Sequence, residues 1–66
     1  MTYVEIELGA DDWGYGYIAH AYSEPYGGEY MGPLTACSGF DDAGDARRDA
    51  EAWLDAEYGE GNWQHI

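Results

Sequence analysis

The residues with most chemistry to offer in this chain are its carboxylates. Asp41, Asp45 and Asp49 recur at i, i+4, the spacing that stacks side chains along one helix face, with Glu51 and Asp55 on an adjoining row; together they are read as a polar arc opposite Trp53. Four residues of helix rise about 6 Å, comparable to the step between successive phosphates on one nucleic-acid strand, so such a row can imitate a backbone. Like charges at this spacing weaken a helix by roughly 0.2–0.5 kcal/mol per pair, and a helix that needed only solvation could have interspersed lysines. The same sign recurs in Glu5 and Glu7, Asp11 and Asp12, and Glu24 and Glu29, so every element adds to the field. These acids form the expected partner-binding set.

Other chemistries find less support. His20 and His65 are the only imidazoles and Cys37 the only thiol, with no second ligand at zinc-motif spacing. Asp41, Asp42 and Asp45 lack the alternation, central Gly and terminal Glu of an EF-hand, and a helix start explains them better. No Ser/His/Asp or Cys/His arrangement has supporting local context, and carboxylates are too abundant to single out an acid–base pair. Neither metal, cofactor nor catalytic activity is expected. Arg47 and Arg48 have acids within helical reach, Glu51 for the first and Asp45, Glu51 or Asp55 for the second, and are read as structural pairs. Tyr15, Tyr17, Tyr22, Tyr26 and Tyr30 are read as core and sheet surface, the alternative being that some of them rim the acidic field as interface anchors.

Composition narrows the partner. Fourteen carboxylates face two arginines and no lysine in 66 residues, a formal net charge of −12. Solubility of a small domain needs a magnitude of only about 2 to 8, and beyond that self-repulsion opposes folding. Nucleic acid and anionic membranes would be repelled; a strongly basic protein surface would be attracted. The aromatic content of 17% and hydrophobic content of 45% exceed what a disordered acidic chain carries, so a folded domain with a thin core is expected, as a monomer or homodimer. The single cysteine suits a reducing cytoplasm, and neither a leader nor an apolar run near the roughly 20 residues of a membrane span is read.

The positioning elements follow from periodicity. Thr2 to Leu8 alternates, Val4, Ile6 and Leu8 on one side and Tyr3, Glu5 and Glu7 on the other, which predicts a half-buried strand. Residues 9–14 predict a turn and Tyr15 to Tyr22 a second, antiparallel strand, with Ile18, His20 and Tyr22 on one face and Tyr15, Tyr17, Ala19 and Ala21 on the other, where small alanines would admit a helix. Glu24-Pro25-Tyr26-Gly27-Gly28 predicts a turn, and Glu29 to Cys37 a third strand placed at an edge by Pro33. The spacing predicts a helix over about 41–58, opened by a capping-box-like Ser38-Gly39-Phe40-Asp41 and closed by Gly59 and Gly61, with Ala43, Ala46, Ala50, Trp53, Leu54 and Tyr58 on its apolar arc. The tail 61–66 is left between a short fourth strand and a strap. The fold class is therefore α+β: a single domain with a small antiparallel sheet of three to four strands and one carboxy-terminal helix on one face, β-β-β-α.

In size, charge and aromatic richness, with acids at Asp41, Asp45, Asp49, Glu51 and Asp55 and on the strands, the chain resembles the small acidic phage anti-CRISPR proteins that act as DNA mimics. The resemblance implies that its carboxylates occupy the basic groove with which an RNA-guided effector of the Cascade type holds target DNA. A second resemblance, to HicB-type antitoxins, rests on Tyr17-Ile18-Ala19, the Gly39-Phe40-Asp41 turn and Asp45-Ala46, which echo the hairpin, third strand and helix of that family, although the carboxy-terminal DNA-binding module usual there is missing. Both imply an acidic protein that neutralises a basic one.

Overall fold

In the computed structural model, which describes residues 1–25 and 28–66, the alternation of the first segment becomes strand β1, Thr2–Asp11. Val4 is fully buried while Glu5 and Glu7 are exposed. The strand runs three residues past Leu8, because the reversal needs only Asp12 and Trp13: Asp11 already pairs with Gly14, and the Trp13 amide donates to Asp11 Oδ1 at 2.8 Å. Gly14 sits at φ 123°, and a Cβ there would stand 2.7 Å from the Phe40 carbonyl oxygen, so both conformation and space call for glycine.

Strand β2, Gly14–Tyr22, returns antiparallel with Val4 opposite Ala21, Ile6 opposite Ala19 and Leu8 opposite Tyr17. Those residues form the inner face, and the alanines let the helix approach closely. Strand β3, Tyr30–Phe40, follows and is indeed an edge. Pro33 faces His20 where the register slips between Ala19 and His20, and Gly32 beside it has φ 99°. An irregular edge with a missing donor discourages further strand pairing. The expected turn over 24–28 falls partly outside the described residues, since Tyr26 and Gly27 are among those not described.

Helix α1, Ala43–Tyr58, starts two residues later than the spacing predicted. Asp42, in extended conformation, is the N-cap, its carboxylate accepting from the Asp45 amide at 2.7 Å; the Ser38–Asp41 quartet belongs to the end of β3 and the bend after it. Ala46, Ala50 and Leu54 are buried, and Trp53 and Tyr58 are only partly so. Gly59 at φ 94° ends the helix, its amide donating to the Asp55 carbonyl, and Asn62 Nδ2 donates to the Tyr58 carbonyl at 2.9 Å. The chain then forms β4, Trp63–His65, parallel to β1 through Thr2, Tyr3 and Val4, with the Ile66 amide on the Val4 carbonyl at 3.0 Å.

The result is α+β: a four-stranded sheet in the order β3-β2-β1-β4, mixed because β4 is parallel, with one helix on one face. Its core has two halves, Val4, Ala19 and Leu54 near β4 and Tyr17, Ala46 and Ala50 near β3, with Ile6 packed against both. Extents of 33 × 23 × 14 Å describe a slab two layers thick. The sheet face away from α1 has no layer over it among the described residues.

Candidate functional site

None of the acids expected to meet a partner is buried. The structure distributes them over three places: the helix, the turns and the open face of the sheet.

The helix acids are less uniform than their spacing suggests. Trp53 is not opposite the row Asp41, Asp45, Asp49; it stands at i+4 from Asp49 and continues that row. At about 100° per residue, Asp49 and Glu51 lie about 160° apart around the axis, so the acids divide between two flanks. On the first, Asp45 pairs with Arg48, and Asp49 Oδ2 accepts from the Tyr17 hydroxyl at 2.9 Å. On the second, Glu51 Oε2 lies 4.0 Å from His65 Nε2, and Asp55 Oδ1 accepts from the Trp63 indole at 2.9 Å. Asp49 and Asp55 thus have hydrogen-bond partners that anchor the helix to β2 and β4, Asp45 is paired within the helix itself, and Asp41 is exposed ahead of it. The Tyr17 phenol, 4% exposed, is pushed up to about 12, first by burial and then by the Asp49 carboxylate that accepts its hydrogen bond.

The turn acids are exposed. Asp11 caps the hairpin reversal through its bond to the Trp13 amide, Asp12 lies within it, and Trp13 beside them is 82% exposed. Glu24 follows β2, and Glu29 precedes β3, its amide donating to Ser23 Oγ at 3.0 Å.

The open sheet face brings together residues far apart in sequence. Register places Tyr3 opposite Tyr22, Glu5 opposite His20 and Glu7 opposite Ile18, with Tyr30 of β3 beside Tyr22. Glu7 Oε2 is 2.9 Å from His20 Nε2, and the Tyr30 hydroxyl is 2.8 Å from His20 Nδ1. An ionised carboxylate only accepts, so in neutral His20 the proton sits on Nε2 and donates to Glu7, leaving Nδ1 to accept from Tyr30. The Tyr22 hydroxyl donates to Glu5 Oε2 at 3.4 Å; partial burial, followed by the nearby Glu5 charge, raises its phenol above the ordinary value. The Tyr22 and Tyr30 rings lie 5.3 Å apart, and His20 and Tyr30 5.7 Å. Glu5, Glu7, His20, Tyr22 and Tyr30 line a shallow depression of about 330 Å³. A second, of about 410 Å³, adjoins it at Glu7, where cross-strand Gly9 and Gly16 leave the sheet bare beside Ile18, Ala36 and Ser38.

Both arginines of the chain are on α1, so among the described residues the open face of the sheet carries carboxylates and aromatic rings with His20 as its one basic side chain. Sequence reasoning placed Glu5 and Glu7 in the site and offered Tyr22 and Tyr30 only within a larger set of tyrosines as an alternative rim; His20 was not read as their companion. The signal available was the shared period of Ile18, His20 and Tyr22, which put them on the face away from the alanines. Among the described residues no group of three or more His, Cys, Asp or Glu side chains is arranged to hold a metal ion. No described helix is long and apolar enough to cross a membrane.

Compared with protein-family models, with curated proteins and with solved structures, the chain finds no match.

Proposed function

We propose that this protein is an inhibitor that imitates a nucleic-acid backbone and occupies the basic groove of a nucleic-acid-binding protein. The observation that carries the reading is charge with its placement: a net charge of −12 on 66 residues, with the carboxylates of helix, turns and sheet all at the surface. Such a field raises the encounter rate with a basic cleft and costs fold stability, so a partner accounts for it where solubility does not. Lysines and arginines that neutralise phosphates would be taken by carboxylates instead. The resemblance to the DNA-mimic anti-CRISPR proteins makes the groove that of an RNA-guided effector of the Cascade type, in a bacterial host cytoplasm, with target-DNA binding as the step blocked.

The hairpin, edge strand and helix also favour a second reading, a HicB-like antitoxin core, in which the basic surface belongs to a cognate toxin. One experiment separates mimicry from other inhibition. Effector preloaded with target duplex should bind the protein poorly, and prior addition of the protein should abolish the DNA gel shift. A stable ternary complex of effector, DNA and protein would sink the mimicry mechanism, and a toxin as the captured partner would favour the second reading.

A further inference from the structure

We propose that the open face of the sheet is the docking surface, and that its occupant is a basic helix of the partner presenting arginines to Glu5 and Glu7. This rests on the reading above that the partner is basic, and adds where it binds and which side chain it uses. An antiparallel sheet covered on one side ordinarily presents polar side chains to water on the other. One face here lies under α1; the other displays Tyr3, Tyr22, Tyr30 and Ile18, the last two 49% and 37% exposed.

Charge identifies the occupant. A second copy would bring another −12 against the same field. A basic segment meets two carboxylates with capacity to spare: the Glu7 side chain is 61% exposed and only its Oε2 is held by His20, while Glu5 is held at 3.4 Å. On the helix, Asp45, Asp49 and Asp55 accept hydrogen bonds from Arg48, Tyr17 and Trp63, and Arg47 and Arg48 would repel an approaching cation.

Geometry selects arginine and a helix. Glu5 and Glu7 share a face two residues apart, about 7 Å along the strand, and side chains at i and i+4 of an α-helix are separated by about 6 Å. Two arginines at that spacing can therefore address both carboxylates. A guanidinium forks to a carboxylate while stacking on an aromatic ring, and Tyr22 and Tyr30 stand beside these acids; an ammonium does the first poorly and has no plane to stack. Beyond Glu7 the paired Gly9 and Gly16 provide the bare trough in which small side chains of the same helix would lie.

The test is an NMR-monitored titration of the intact protein with two synthetic helical peptides on an alanine background, one with arginines and one with lysines at i and i+4. Amide shifts should centre on Glu5, Glu7, Ile18, His20, Tyr22 and Tyr30, with the arginine peptide tighter by on the order of tenfold. Glu7→Gln and Tyr30→Ser, both at exposed positions, should each weaken it about tenfold with the spectrum still dispersed, and Glu57→Gln, at an exposed helix acid outside the partner-binding set, should leave it unchanged. Shifts centred on α1, equal affinity for both peptides, variants without effect, or no binding would each overturn the proposal. Location and mimicry fail separately: a peptide on α1 with DNA competition intact removes the docking site alone, whereas docking on the sheet without DNA competition keeps the site and removes the nucleic-acid groove.

Discussion

At the scale of single residues, Tyr17 links core to surface. Its ring is packed with Ala46 and Ala50, and its hydroxyl reaches Asp49 at 2.9 Å. Because the folded-state phenol is pushed up to about 12, the unfolded chain releases its proton first as pH rises past about 10. Over the interval from there to about 12 the folded state binds more protons, so stability falls with rising pH, and below about 10 the contribution is fully present. Tyr22 is shifted in the same direction. Urea melts at stepped alkaline pH should show this decline, and Tyr17→Phe should flatten it while costing roughly 0.5–1.5 kcal/mol at neutral pH for the lost hydrogen bond. An unchanged alkaline slope in the Phe variant would place the titration elsewhere. Leu54 provides the packing counterpart. It is fully buried and Trp53 only partly so, hence Leu54→Ala should cost about 2–5 kcal/mol and Trp53→Ala less, although Trp53 is the larger side chain.

At the scale of elements, close backbone approach governs the hairpin and cap chemistry the helix. A Cβ on Gly16 would meet the Cys37 carbonyl oxygen at 2.6 Å and Ser38 Cβ at 2.9 Å, both in the facing strand. Gly16→Ala must then push β3 off β2 and should cost on the order of 1–3 kcal/mol in a denaturant melt. Asp42→Ala removes the side-chain acceptor for the Asp45 amide and should cost about 0.5–2 kcal/mol, read as lost helicity and a lowered melting temperature. How legible each element was follows from what fixes it. The alternation Val4, Ile6, Leu8 is a local pattern, and so are the paired alanines of β2, the apolar arc of the helix and Pro33 at an edge; these could be read directly. β4 could not, because three residues carry no period and its pairing depends on Trp63 packing against the core and Ile66 reaching Val4. The candidate site divides the same way. Glu5 and Glu7 stood out by charge, but the Glu7–His20–Tyr30 chain spans three strands and exists only through their register. The acidic helix row was visible as spacing, while its partners Tyr17, His65 and Trp63 come from other elements and were not.

At the scale of the whole molecule, size and charge set opposing responses to salt. The longest extent is 33 Å, close to the Debye length of about 30 Å at 0.01 M ionic strength and well above the roughly 8 Å at 0.15 M. At low salt each carboxylate therefore feels nearly all the others, and at physiological salt only its neighbours. With 14 acids against 2 arginines the sum is repulsive, and a thin core has little stability with which to resist it. Adding sodium chloride from 0.01 to 0.15 M, written as about 10 to 150 mM in a titration, should raise the melting temperature of the free protein. Affinity for a basic partner should fall over the same interval, chiefly through a slower association rate, because the attraction that steers encounter is screened while the short-range contacts of the sheet face are not. The two measurements must move in opposite directions. A melting temperature indifferent to salt would mean that the carboxylates repel one another as strongly in the unfolded chain as in the folded one, and an affinity indifferent to salt would remove charge as the basis of recognition.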